Sequence, residues 1–299
     1  MVDALGQHVD SFSERAAAAM RSAARMVLAV VIWLVPLVIV TAFAWICGDL
    51  VYRGFSHLSW SFVFELPRDA GRAGGIAPII LSTALILAVC VAVALPIGVG
   101  TAAFLAEFTK RQNFVGRLVR RSLDVLAGVP SIVFGMFGNA LFCIYLGMGF
   151  SVLAGGLTLA CMVLPLLIRT TEESFHAIAD AHRQAAAACG MSRSTTLVRV
   201  LLPAAMPGMA VGLVLSVGRA LAETAALLFT SGYVMRMPET LLDSGRSLSI
   251  HIYDLAMNVP GGEDNAYATA IVLVALLALI NFTTASAAKR FLKQKVVRL

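Results

Sequence analysis

Arg219 and Glu223 are ionisable residues set inside a long apolar run, Leu201 to Tyr233. A charge at the middle of a membrane helix costs roughly 2.5–3.5 kcal/mol, so such residues face a protein interior or a water-filled cavity. Their spacing of four puts them on one face of a helix, within reach of each other. At about 100° per residue, Ser216, Arg219, Glu223 and Thr230 share a wedge of about 60°, a polar stripe along the helix. Two readings stand: an ion pair that braces helices, or the water-accessible lining of a transport path. A brace needs only one pair, and the whole stripe is polar, which favours the lining.

A second constellation, Asp124, Gly128, Ser131, Gly135 and Gly138, also clusters on one helical face. Small residues let helices approach closely. A glycine face also leaves backbone groups within reach of a passing ion, so packing and pathway both remain open. Pro130 predicts a local bend.

These residues need a membrane to sit in, and the composition supplies the case for one. The chain has 299 residues, 59% of them hydrophobic and only 13% charged, with a mean hydropathy of +0.86. Ordinary soluble domains carry about a quarter charged residues. Each spanning helix takes roughly 20 apolar residues. Six runs qualify: Met26 to Tyr52, Ile76 to Ala106, Ser122 to Gly147, Phe150 to Ile168, Leu201 to Tyr233 and Ala266 to Ala287. The expected fold is therefore all-α, with about six membrane helices. The two longest runs should contain tilt, a kink or an interfacial turn, and Pro96 with Gly98 and Gly100 marks the kink in the second. The first run continues too far for a signal peptide and reads as an uncleaved helix.

Orientation follows from the basic residues, because cytoplasmic loops retain positive charge. Seventeen fall on one side: Arg15, Arg21 and Arg25; Lys110, Arg111, Arg117, Arg120 and Arg121; Arg169, Arg183, Arg193 and Arg199; Lys289, Arg290, Lys293, Lys295 and Arg298. Five, Arg53, Arg68, Arg72, Arg236 and Arg246, fall on the other. Both termini are thus expected in the cytoplasm, with an N-terminal tail over 1–25, a membrane domain over 26–287 and a basic tail over 288–299. The same loop charges explain the pI near 9.3 without a basic face for nucleic acid, and favour contact with membrane lipid. The cysteines, Cys47, Cys90, Cys143, Cys161 and Cys189, form no disulfide framework or CxxC metal pair. Neither GxxxxGK[ST], HExxH nor GxSxG occurs, so no hydrolysis, metal or cofactor is expected on this chain, and any ATP use must come from a partner.

The loop over about 169–200 is long and reads as short helices. Its core runs from His182 through Arg183, Gln184 and four alanines to Cys189 and Gly190. Alanine favours helix, Gly190 suits a helix stop and Ser192 suits the cap of the next turn. Taken alone, the segment also fits an interfacial helix on the membrane surface.

Here the sequence resembles the coupling loop of ABC importer permeases, whose pattern is Glu-Ala-Ala, three residues, Gly, nine residues, Ile, one residue, Leu-Pro. Gln184, Ala185, Ala186, Gly190, Val200, Leu202 and Pro203 hold those positions at that spacing, with Gln in place of Glu. Three stretches, Leu167 to Glu173, Gly218 to Thr230 and Gly128 to Gly135, resemble the phosphate-importer permease of the PstA type, and Ser249 to Tyr253 extends the likeness. The resemblance implies a type I importer permease in the bacterial inner membrane. Its implied partners are a PstC-type permease, a cytoplasmic ATPase dimer and a periplasmic phosphate-binding protein. It also implies that Arg219 and Glu223 are the family's intramembrane charged pair, and Arg169 the arginine at the cytoplasmic end of the fourth helix. With Ser216, Thr230 and Ser131 these make the expected pathway.

Phosphate at neutral pH is an anion that still has a proton to donate. Arg219 would attract it, and Glu223 would accept the proton and keep the ion from being trapped. Another anion such as phosphonate or molybdate would share the coupling loop. A secondary transporter using Glu223 as a proton relay is a rival of another class, which an uncoupler would reveal.

Overall fold

The computed structural model describes the backbone of residues 2–109 and 113–296, and side chains from residue 25 to residue 286 except 27, 110–112 and 285. Lys110 and Arg111, and the side chains of the two basic tails before residue 25 and from residue 287, lie outside what is described. The chain divides into two units, one up to Tyr52 and one from Arg53 onward.

The first unit is most of helix α1 (Val2–Gly54). From Leu28 to Ile46 every residue is exposed. A helix apolar on all sides suits lipid rather than water. Its backbone is helical from Val2, so no helix end separates the expected N-terminal tail from the span.

The second unit opens with α2 (Trp60–Phe64), capped by the Ser59 hydroxyl at 3.1 Å, and a two-residue antiparallel pairing of Pro67–Arg68 with Ala73–Gly74. There follow α3 (Ala77–Ala103), α4 (Phe114–Ala127), α5 (Ser131–Gly138), α6 (Val152–His176), α7 (Asp180–Ala188), α8 (Arg193–Thr196) and α9 (Leu202–Leu221). The last three are α10 (Ala225–Leu228), α11 (Leu248–Met257) and α12 (Glu263–Val296). α3, α6 and α9 form the centre, with α12 against α9. Ile86, Cys90, Leu159, Val163, Leu167 and Leu221 are buried between them. Among the described residues five helices are long and apolar enough to cross a membrane, and a sixth span is reached if α4 and α5 count as one.

Several expected spans change shape. α3 is continuous through Pro96, and its irregularity comes later, in a π-turn over Phe104–Phe108. α4 and α5 meet at 104° across residues 128–130, far more than a local bend. Pro130 has no N–H to continue the ladder, and the amides of Gly128 and Val129 close the end of α4 on Val125 and Leu126. The glycine face there packs: a methyl group on Gly135 would meet the backbone of Ala226, and one on Gly138 the side chain of Thr158. α6 runs on to His176, so Arg169 lies two turns inside the helix rather than at its end. The helix through the fifth run stops at Leu221, not Tyr233. α12 likewise continues as helix beyond residue 287.

Candidate translocation site

The polar stripe is divided by the end of α9. Arg219 lies in its last turn, while Glu223 lies beyond it in a short break before α10. No ion pair joins them. The Glu223 carboxylate instead accepts the amide of Ala226 at 3.1 Å, and its backbone carbonyl accepts the Ser249 hydroxyl at 2.6 Å. Glu223 therefore caps the turn after the break and ties it to α11. Arg219 is exposed on the isolated chain and has no acidic partner among the described residues. Ser216, on the same helix, is buried with a hydroxyl that finds no hydrogen-bond partner.

Thr230 belongs elsewhere. It lies past α10, fully buried, donating to the Ala226 carbonyl at 2.9 Å while its own carbonyl accepts the Ser151 amide at 3.0 Å. The continuous stripe expected from helical spacing is thus corrected: Ser216 and Arg219 share α9, Glu223 sits at the break, and Thr230 is packing. Non-helical backbone within an apolar segment must be satisfied by protein or line a cavity. Asn139 does part of that work, its amide donating to the Phe229 carbonyl at 2.7 Å. Sequence reasoning passed over Asn139, although a carboxamide inside an apolar run was the available signal.

Ser131 opens α5 on the far side of the 104° bend and is half-buried. Arg169 is ion-paired with Asp124 of α4. Both line a basic cavity of about 510 Å³ between α4 and α6, with Arg117, Arg120, Arg121 and Glu172 among its walls. Arg120 is held by Glu172 at 2.7 Å.

The expected coupling segment folds as its residues suggest. Gln184, Ala185 and Ala186 are on α7, with Gln184 and Ala185 exposed and Ala186 buried. The Met191 amide reaches the Ala186 carbonyl and the Gly190 amide the Ala187 carbonyl, each at 3.0 Å. This pairing is the Schellman motif, whose left-handed residue is glycine because it lacks a Cβ; Gly190 has φ +70°. Ser192 caps α8 by accepting the Thr195 amide at 3.2 Å. Leu202 and Pro203 follow directly on a π-turn over Leu197–Leu201, inside one helical stretch that runs from Arg193 to Leu221. Arg183, noted from sequence only as a loop cation, makes a guanidinium fork onto Glu107, with its shortest contact at 2.7 Å. Hydrogen bonding to Glu107 raises its already high pKa.

Comparison with known proteins agrees with this architecture. The chain is 34% identical over 265 residues to the phosphate transport system permease protein PstA of Mycobacterium leprae (strain TN), covering 87% of this chain and 84% of that protein. It is 30% identical over 247 residues to the probable ABC transporter permease protein YqgI of Bacillus subtilis (strain 168), covering 78% and 84%. Its fold matches a crystal structure of a bacterial ABC transporter involved in import of the acidic polysaccharide alginate, with TM-score 0.62 at 13% identity, over 86% of this chain and 96% of that one. The likeness read from the three motifs is matched by whole-chain relatives. Residues 94–296 match the family model of the binding-protein-dependent transport system inner membrane component, and the chain, a multi-pass membrane protein, belongs to that family.

Proposed function

We propose that this chain is the PstA-type permease subunit of an ATP-driven phosphate importer and forms half of its translocation pathway. The observation that carries the reading is Arg219, a guanidinium left without an acid at the broken end of a spanning helix, with the half-buried Glu223 one turn on. PstA relatives at about a third identity support the cargo.

The mechanism follows from the unequal roles of the two charges. Arg219 presents donors to an anion that has lost its water. The Glu223 carboxylate has one oxygen engaged by the Ala226 amide. The other oxygen is left to accept the proton that phosphate carries and sulfate lacks. The Ser216 hydroxyl has no partner in the protein but is buried, so it would serve the ion only when α9 shifts against its neighbours. Arg169, paired with Asp124 in this structure, would join the path when that pair opens, and in this reading it acts at release. A PstC-type permease would complete the pathway, a cytoplasmic ATPase dimer would dock on α7, and a periplasmic phosphate-binding protein would deliver cargo, with both termini of this chain in the cytoplasm.

The test is uptake of radiolabelled phosphate into proteoliposomes holding the assembled complex. Uptake should require ATP and loaded binding protein, survive an uncoupler, and resist excess sulfate. Uptake that collapses with the uncoupler while ignoring ATP would replace the reading with a proton-coupled carrier. Competition by phosphonate or molybdate at equal concentration would change the cargo.

A further inference from the structure

The inner end of α3 is fastened by two arginines from different helices. Its closing π-turn, Phe104–Phe108, breaks the regular α ladder, and such turns mark functional positions in helices. Arg120 of α4 donates Nη2 to the Leu105 carbonyl at 3.0 Å while holding Glu172 of α6. Arg183 of α7 donates Nε to both oxygens of Glu107 at 3.2 Å, and Nη2 to one of them at 2.7 Å. The same guanidinium reaches the end of α6: Nη2 donates to the Phe175 carbonyl and Nη1 to the Ile178 carbonyl, each at 2.9 Å. Nη1 also meets Asp180 at 3.1 Å. Every nitrogen of Arg183 is engaged, and three elements meet on one side chain.

Elsewhere α7 is held lightly: Gln184, Ala185, Ala187 and Ala188 are exposed, only Ala186 is buried, against α8 and the π-turn Leu197–Leu201 that follows it, and the chain joins α6 to α7 through residues 177–179. A push on α7 would otherwise be absorbed by rotation in that short turn. With the fork in place it is delivered to α3 and α6 together. Those helices share the largest interface in the unit, and α6 packs on α9, which carries Arg219.

We propose that Arg183 is a positioning residue that transmits movement of the docking helix to the transport core, with Glu107 as its receiving end. The proposal rests on reading α7 as the ATPase docking helix. Neither residue belongs to the Gln-Ala-Ala, Gly and Leu-Pro pattern.

The test uses the whole assembled complex with Arg183→Ala, Glu107→Gln and the double variant. Each should retain the ATPase subunits. Stimulation of ATP hydrolysis by phosphate-loaded binding protein should fall between about twofold and about thirtyfold, the range in which coupling residues act. The double variant should do no worse than the worse single one, since both remove one link. A second readout is independent of cargo: hydrogen exchange over residues 98–108 should respond to a non-hydrolysable ATP analogue in the wild type and lose most of that response in Arg183→Ala. Arg183→Lys keeps the charge without the fork and should not restore it. Full restoration by lysine, multiplying effects in the double variant, an unchanged exchange response, or loss of the ATPase subunits from the variants would each overturn the proposal. If the wild type shows the exchange response but no stimulation by phosphate-loaded protein, the cargo reading fails and the link stands. If the wild type holds no ATPase, the docking reading fails and the link with it.

Discussion

The region around α7 and the break after α9 handle charge in opposite ways. Near α7 two arginines are answered by acids: Arg183 has Glu107, and Arg120 has Glu172. Removing one partner from a poorly solvated pair leaves an uncompensated charge, so these pairs are structural and mutually dependent. At the break the opposite holds. Arg219 has no acid, Glu223 is turned toward an amide, and the Ser216 hydroxyl is orphaned. Charges answered by the protein hold it together, while the exposed Arg219, with no acid beside it, is available to something that passes; buried hydroxyls without partners occur in both regions, Thr109 and Thr171 beside the paired acids and Ser216 on α9. Sequence spacing alone makes both regions look alike, as charges near helix ends.

The largest effect should come from erasing the unsatisfied set. Arg219→Met with Glu223→Met removes both charges, and an anion crossing without a donor should lose uptake by about a hundredfold, from the cost of an unpaired charge in the bilayer. The amount of assembled complex should stay the same, since no ion pair is broken. Uptake at full rate would take both charges off the path. Glu223→Gln refines the reading. It still caps the Ala226 amide but can no longer take a proton as a carboxylate does, so phosphate flux should fall with the fold intact.

The coupling end should respond through its backbone. Gly190 has φ +70° and open space around its missing Cβ, so a larger residue there is strained by conformation rather than by crowding. At a cost of about 1–2 kcal/mol for the left-handed conformation, Gly190→Leu should lower stimulated ATPase activity by about five- to thirtyfold. Gly190→Asn should do much less, since asparagine visits that conformation. Equal losses in the two variants would point to a side-chain contact with the ATPase and away from the turn itself.

A paired test separates the two hydroxyls once grouped on one stripe. Thr230→Val deletes a satisfied hydrogen bond and should destabilise the assembled complex by about 1 kcal/mol, without changing cargo selectivity. Ser216→Ala deletes a hydroxyl that has no partner, and should leave stability equal or higher while slowing uptake. Thermal unfolding and uptake read on the same preparations check both. A Ser216→Ala complex with unchanged uptake would remove that hydroxyl from the path.

What the sequence made legible was whatever lipid or helix periodicity dictates. The spans, the Gly190 stop, the Ser192 cap and the packing of Gly135 and Gly138 all follow from local residue preference. Hydropathy fails at the break after α9, because the apolar residues there serve contacts within the protein, Ala226 and Phe229 against Gly135 and Leu227 against Gly155. A helix-period projection carried through that break misplaces Thr230. The Arg183 to Glu107 link joins residues 76 positions apart, and nothing local announces it. Asp124 and Arg169 were each singled out from sequence for other reasons, and only the fold makes them partners.

The smallest expected effect concerns a third polar cluster, between α10 and α11, that is satisfied except at one atom. Arg246 donates to Asp254 at 2.8 Å and to the Tyr233 carbonyl at 2.9 Å, lies over the Tyr233 ring, and approaches His251 Nδ1 at 3.4 Å. With Nδ1 facing a donor, Nε2 carries the ring proton, and Nε2 has no acceptor. His251 is fully buried, and burial first, then the Arg246 charge, pushes its pKa down to about 3, with Asp254 only partly opposing. The histidine is therefore neutral in the folded protein through the whole range where an exposed histidine titrates. Its contribution to stability is complete above about pH 6.5 and declines as the pH falls toward about 3, because over that window the unfolded chain binds a proton that the folded one refuses. The slope is at most about 1.4 kcal/mol per pH unit. Between pH 6.5 and 5.5 the assembled complex should lose about 1 kcal/mol on this account, read as a falling unfolding midpoint. His251→Asn, whose carbonyl accepts from Arg246 as Nδ1 does but which does not titrate, should flatten that decline by more than half. A variant that tracks the wild type across the window would mean that the acid sensitivity belongs to other groups.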